Sequence, residues 1–137
     1  MELFLTKDEF WQQREKAFSE DHEVTYVISC YQNEENKTKR SVPRVLSNDK
    51  DGTLYIGKAE NVMRLVTLLL SIRPQNKGKG HPFGIRYKQN PKYKELYPYD
   101  LLAINLIPTK DSRITEKEII SKYIENYGEL PPLNHSE

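Results

Sequence analysis

One stretch constrains this chain more than any other: Gly52-Thr53-Leu54-Tyr55-Ile56-Gly57-Lys58-Ala59-Glu60-Asn61-Val62-Met63-Arg64-Leu65. A turn signal, Asn48 to Gly52, precedes a β-branched and aromatic run that predicts a strand over Leu54–Gly57. After Gly57 the pattern becomes helical, with Asn61 as N-cap and Val62, Leu65, Val66, Leu69 and Leu70 recurring on one face. The unit is therefore strand, glycine, helix N-terminus, with Lys58 and Arg64 beside the junction. Glycine permits close approach to the backbone, and unbonded N–H groups at a helix start favour an anion. A phosphate suits that place.

The chain has 137 residues, which suits a single domain with a modest core. Its longest apolar cluster, Leu65 to Ile72, is too short to cross a bilayer, and no secretory signal pattern opens it. The single Cys30 excludes an intrachain disulfide and reads as a small core residue, so a cytoplasmic location is expected. A net charge of +1 names no partner, but the charge is uneven. Lys37, Lys39, Arg40 and Arg44 precede the Tyr55 strand; Lys77, Lys79, Arg86, Lys88, Lys92 and Lys94 follow the Arg64 helix. Such runs serve equally as solvated loops or as phosphate contacts.

Read in order, Thr6-Lys7-Asp8-Glu9 forms a capping box, with Leu5 and Phe10 as hydrophobic staple. A helix over Lys7–Ser19 should bury Phe10, Trp11, Ala17 and Phe18; Trp11 could otherwise stack on a base. Residues 23–31 predict a central strand, and Arg40–Ser47 a second strand that Pro43 confines to an edge or bulge. The interval from Tyr26 to Tyr55 leaves room for an inserted hairpin arm, and the two flanking strands should pair antiparallel. A flexible Gly78–Gly84 loop and a Lys- and Tyr-rich stretch lead to a strand at Leu101–Ile107, closed by Pro108. Thr115 should cap a helix over Glu116–Asn126, ended by Gly128.

Four segments in this order resemble the GIY-YIG nuclease domain. Val24-Thr25-Tyr26-Val27-Ile28 looks like its GIY strand, and Leu54-Tyr55-Ile56-Gly57 like its YIG strand. Glu116 to Tyr123 is similar to its late helix, and Pro131-Pro132-Leu133-Asn134 to its closing Pro-x-x-Asn. The resemblance spans about residues 23–134. It implies an α+β fold with a small, mostly antiparallel central sheet flanked by helices. Residues 1–22 would add an N-terminal helix packed on that domain, which runs over 23–137.

The resemblance also implies a metal-dependent endonuclease that hydrolyses DNA, with RNA as another possible substrate, through one Mg²⁺ or Mn²⁺ ion. No membrane partner is implied, and the oligomeric state is left open. Tyr26 would be the base or water-orienting group. Because a phenol ionises near pH 10, roughly, it would need a neighbouring cation or a metal-bound network, with Lys58 and the divalent ion as candidates. Tyr55 would add a second hydroxyl, Gly57 a close backbone approach, and Lys58, Lys79, Arg86 and Lys88 phosphate contacts. Glu116 would be the metal ligand; its rival Glu118 lies off the face shared with Ile119, Ile120 and Tyr123. The family's arginine falls where Leu65 stands, so Arg64 takes that role only if the turn is one residue shorter. His81 would serve as acid or base, and Asn134 would lie near the metal or close the fold onto the sheet.

Each residue also has an ordinary reading: strand tyrosines filling a groove, a glutamate early in a helix, a loop histidine. Two other functions fit the same pattern. One is a nucleic-acid-binding domain that does not cut, with Tyr87, Tyr93, Tyr97 and Tyr99 stacking on bases. The other is a protein-interaction module using Tyr93–Tyr99 as its contact patch.

Overall fold

The computed structural model describes residues 2–6, 8–18, 22–35, 37–74 and 81–135, without the side chains of Asp8, Glu9, Trp11 and Arg14. The capping box at Thr6–Glu9, the packing of Trp11, and the loop carrying Lys77 and Lys79 lie outside that description. In chain order the elements are β1 (Glu2–Phe4), α1 (Asp8–Ala17), β2 (Glu23–Cys30), β3 (Val42–Pro43), β4 (Asn48–Asp49) and β5 (Thr53–Ala59). Then come α2 (Val62–Ile72), α3 (Pro82–Gln89), α4 (Pro91–Leu96), a 3₁₀ turn at Tyr99–Leu101, β6 (Leu102–Thr109) and α5 (Ser112–Tyr127). The fold is α+β, with an antiparallel sheet in the order β1-β6-β2-β5.

As its apolar density predicts, β2 is central and pairs on both sides. Alternation along β2 divides the core between the two faces of the sheet. Val24, Tyr26, Ile28 and Cys30 join Leu65, Leu68, Ile72, Phe83 and Phe10, which puts α1, α2 and α3 on that face. Val27 and Ile56 meet Ile119, Ile120 and Tyr123, so α5 covers the other. Cys30 is a buried free thiol, in keeping with a small core residue.

Several local expectations are corrected. Residues 2–4, in which no strand was foreseen, form an edge strand on β6. Instead of one strand over Arg40–Ser47, a two-residue hairpin, β3–β4, makes the inserted arm. The β6 strand runs through Pro108, which pairs with Val24 beyond the reach of β1, so its missing N–H interrupts no ladder there. In α2, Leu68 and Ile72 are buried while Leu70 is exposed. The stretch after His81 folds into α3 and α4, each opened by a proline at its first position with an Asn or His cap.

Helix α5 starts a turn before the Thr115 cap that its sequence suggested. Asp111 caps it, accepting from the N–H groups of Arg113 and Ile114, and the Glu23 carboxylate accepts from the Ser112 N–H and hydroxyl. Gly128 ends it in the left-handed region at φ +81°, where its N–H reaches the Ile124 carbonyl.

The arm is held by a buried carboxylate. Asp49 accepts from the N–H of Asp51 at 2.8 Å, the N–H of Thr53 at 3.2 Å and the Tyr123 hydroxyl at 2.8 Å. One side chain therefore fastens turn, strand β5 and helix α5. Asp49→Ala would strand those donors away from water and should lower unfolding free energy by roughly 2–3 kcal/mol, read by denaturant titration. A loss under about 0.5 kcal/mol would mean the carboxylate holds nothing.

Candidate active site at the edge of strand β5

The site forms because Gly57 has no side chain. It pairs directly with Tyr26 on the neighbouring strand. A Cβ there would lie 2.5 Å from the Tyr26 hydroxyl oxygen and 2.7 Å from Tyr55 Cε2. The space above glycine is thus filled by the protein's own phenols, whereas the sequence left it open for a ligand. The Tyr26 and Tyr55 rings sit 6.1 Å apart and are tilted by 32°. Tyr26 is 1% exposed. Burial pushes its hydroxyl well above the ordinary tyrosine range, Tyr55 and Glu116 push the same way, and Arg64 opposes them. Tyr55 is raised by burial and eased by Arg86.

Tyr55 reaches a cleft of about 300 Å³ lined by Ile56, Pro82, Arg86, Glu116, Ile120, Asn134 and His135. The cleft wraps round the free edge of β5, so it draws on both faces of the sheet. Tyr55 comes from the face under α2 and α3, and Glu116 from α5 on the opposite face. Helix periodicity orients Glu116: Ile120 and Tyr123, four and seven residues on, are buried, and Glu118 turns outward. Burial raises the Glu116 carboxyl, and Lys58 across from it lowers it. Among the described residues, Glu116 makes no hydrogen bond or ion pair. Lys58 itself is tied to Glu60 at 3.4 Å.

Leu65 is wholly buried, while Arg64 is exposed and acts electrostatically on Tyr26, Tyr55 and His81. Asn61 caps α2 as foreseen, accepting from the Arg64 N–H at 3.1 Å. Of the two positions, it is Arg64 whose side chain stays at the surface.

His81 does not sit loose in a loop. It caps α3, with Nδ1 accepting from the Phe83 N–H at 3.0 Å, and its ring meets Tyr55 edge-on. That hydrogen bond assigns the proton to Nε2. Burial, then Arg64 and Arg86, push its pKa down to about 4. At neutral pH it is a donor through Nε2 and has no base to offer.

Asn134 closes the fold. Its amide accepts from the Ile56 N–H and donates to the Ile56 carbonyl, both at 2.9 Å, in the manner of a partner strand. The Leu133 N–H adds a bond to the Leu54 carbonyl, and Arg86 Nε donates to the Leu133 carbonyl at 2.6 Å. The Asn134 side chain is thereby spent on backbone rather than on a ligand.

Of the remaining residues expected here, Lys88 is drawn to the Arg73 carbonyl at the far end of α2, and Lys79 lies outside the described residues. Tyr87 and Tyr97 are buried in the core, joined by a hydrogen bond from the Tyr87 hydroxyl to the Tyr97 carbonyl, while Tyr93 and Tyr99 pack half-buried against it. None of these rings forms the exposed stacking platform that the sequence allowed.

Among the described residues no group of three or more His, Cys, Asp or Glu could hold a metal, and no helix is long and apolar enough to cross a membrane. A Mg²⁺ or Mn²⁺ ion that keeps its waters and a substrate phosphate needs only one protein carboxylate. Glu116, half-buried and unpaired in the cleft, fits that requirement. A scan against protein-family models found no match, and neither did searches of curated proteins and of solved structures.

The depressed His81 pKa carries a stability consequence. The unfolded histidine titrates near 6.5, roughly, so between there and about 4 the unfolded chain binds more protons. Stability should therefore fall as pH drops from about 6.5 through about 4. His81→Asn keeps a capping side chain without the titration. Over that interval it should lose roughly 1–2 kcal/mol less than wild type in parallel urea titrations, solvent screening at this half-exposed ring having been allowed for. Equal losses would mean that His81 ionises normally.

Proposed function

We propose that this chain is a metal-dependent endonuclease of the GIY-YIG type, cleaving phosphodiester bonds of DNA at the β5 edge. What carries the reading is the meeting of Tyr55, Arg86 and Glu116 in one cleft, with Arg64 acting electrostatically on that phenol and on the neighbouring His81. Hydrolysis joins a water oxygen to phosphorus, breaks one phosphorus–oxygen ester bond and leaves the departing oxygen protonated. Arg64 and Arg86 would hold the non-bridging oxygens, where negative charge grows in the transition state. Tyr55, its hydroxyl raised by burial, keeps its proton near neutrality and orients the phosphate or the water. His81 Nε2–H supplies a further neutral donor. Glu116 would hold a divalent ion, which when bound supplies charge neutralisation and acidifies water.

A second reading rests on the burial of Tyr26. With both phenols protonated and no free histidine base, the domain would grip a phosphate backbone without cutting it. One assay separates the two. Supercoiled plasmid incubated with the protein should be nicked with Mg²⁺ or Mn²⁺ and left intact with chelator. Glu116→Gln should abolish nicking, and Arg64→Ala should slow it by roughly 100-fold, as for loss of one charge-stabilising donor. Nicking by Glu116→Gln at the wild-type rate would remove Glu116 as the metal ligand. Tight binding with no nicking under any metal would leave the gripping domain.

A further inference from the structure

The end of α2 opposite Arg64 carries a second gathering of cations that the cleft does not use. Arg73 is the C-cap of α2, and the Lys88 ammonium donates to its carbonyl. The Arg73 guanidinium acts electrostatically on the Tyr99 hydroxyl. Lys94 of α4 stands close enough to Lys88 for their charges to repel. The helix-end carbonyl accounts for Lys88, since a cation there meets the negative end of α2. It does not account for Lys94. On α4, Lys92 has Glu95 three residues on, which balances it, whereas the neighbours of Lys94 at that spacing are Asn90, Pro91, Tyr97 and Pro98. Lys94 makes no hydrogen bond or ion pair among the described residues and is exposed. Acidic Asp100 lies on the Tyr87 and Tyr99 side of the group.

Arg64 and Arg73 are nine residues apart along one helix, so about 14 Å at ~1.5 Å per residue. We propose that Arg73, Lys88 and Lys94 form a second phosphate-binding patch, holding the nucleic-acid backbone about 14 Å from the phosphate beside Arg64, with the strand running along α2. The inference rests on the nucleic-acid reading of the cleft and extends it to the length of backbone engaged.

The test is the salt dependence of binding to a 24-base-pair duplex, by fluorescence anisotropy with Ca²⁺ in place of Mg²⁺. Lys94→Gln should lower the slope of log affinity against log salt by about 0.9, equivalent to roughly eightfold weaker binding at 0.1 M salt. Lys88→Gln together with Lys94→Gln should lower it by about twice that, and Arg64→Gln should add its own decrement to either. Lys92→Gln serves as the control on the same helix and should leave the slope within about 0.3. An unchanged slope in Lys94→Gln, or an equal drop in Lys92→Gln, overturns the patch. So does a Lys94→Gln variant that keeps its DNA slope while losing binding to phosphatidylserine vesicles, which would make the cations a membrane contact. Should Arg64→Gln bind as wild type while Lys94→Gln loses its increment, the cleft reading falls and the patch stands.

Discussion

The packing of Tyr26 over Gly57 is the contact on which the site depends. These residues face one another across the β2–β5 ladder, and any side chain at position 57 would occupy the place of the Tyr26 hydroxyl. With the phenol seated, its hydroxyl meets Tyr55, Tyr55 meets His81 edge-on, and Phe83 packs on Tyr55 with ring centroids 5.0 Å apart. The start of α3 is thereby registered against the sheet. Since His81 also caps that helix, the same contact sets where Arg86 emerges, one turn further along.

An edge strand usually leaves a row of unpaired backbone groups, and β5 is the open edge of this sheet. Here the closing segment occupies that edge with a side-chain amide and one backbone N–H. Because it is thinner than a strand, it leaves space beside Ile56. Glu116, from one face of the sheet, and Tyr55, from the other, can share a cleft there. A full partner strand would separate them. The electrostatics follow from the same geometry. Burial raises the phenols and the Glu116 carboxyl, and the two arginines with burial keep His81 neutral. The cleft therefore combines fixed positive charge, protonated donors and one unpaired carboxylate.

Much of this was legible before any coordinates. The switch from strand to helix across Gly57, the Asn61 cap and the Gly128 stop are local events governed by backbone conformation and capping. Sequence patterns report those directly. The central position of β2 followed from its apolar density, and the choice of Glu116 over Glu118 from helical spacing. The strand Glu2–Phe4 was not legible. Three residues carry too little alternation, and β1 exists only because β6 offers it a ladder. Nor was the start of α5 at Asp111: Thr115 is as good a cap locally, and Glu23, 89 residues from Ser112 in sequence, tips the choice.

By itself, then, the chain determined its longer strands, the helices α2 and α5, their order, and the residue types able to meet a phosphate. Periodicity and capping act over a few residues and are written in the chain. Tertiary structure decided which polar groups remain available. Tyr26 became a buried phenol, Asn134 was consumed by Ile56, and His81 lost its base to the Phe83 N–H. Hydrogen-bond partners and desolvation come from segments remote in sequence, so the protonation and reach of a side chain are settled only when the sheet, its edge and both helical layers are in place.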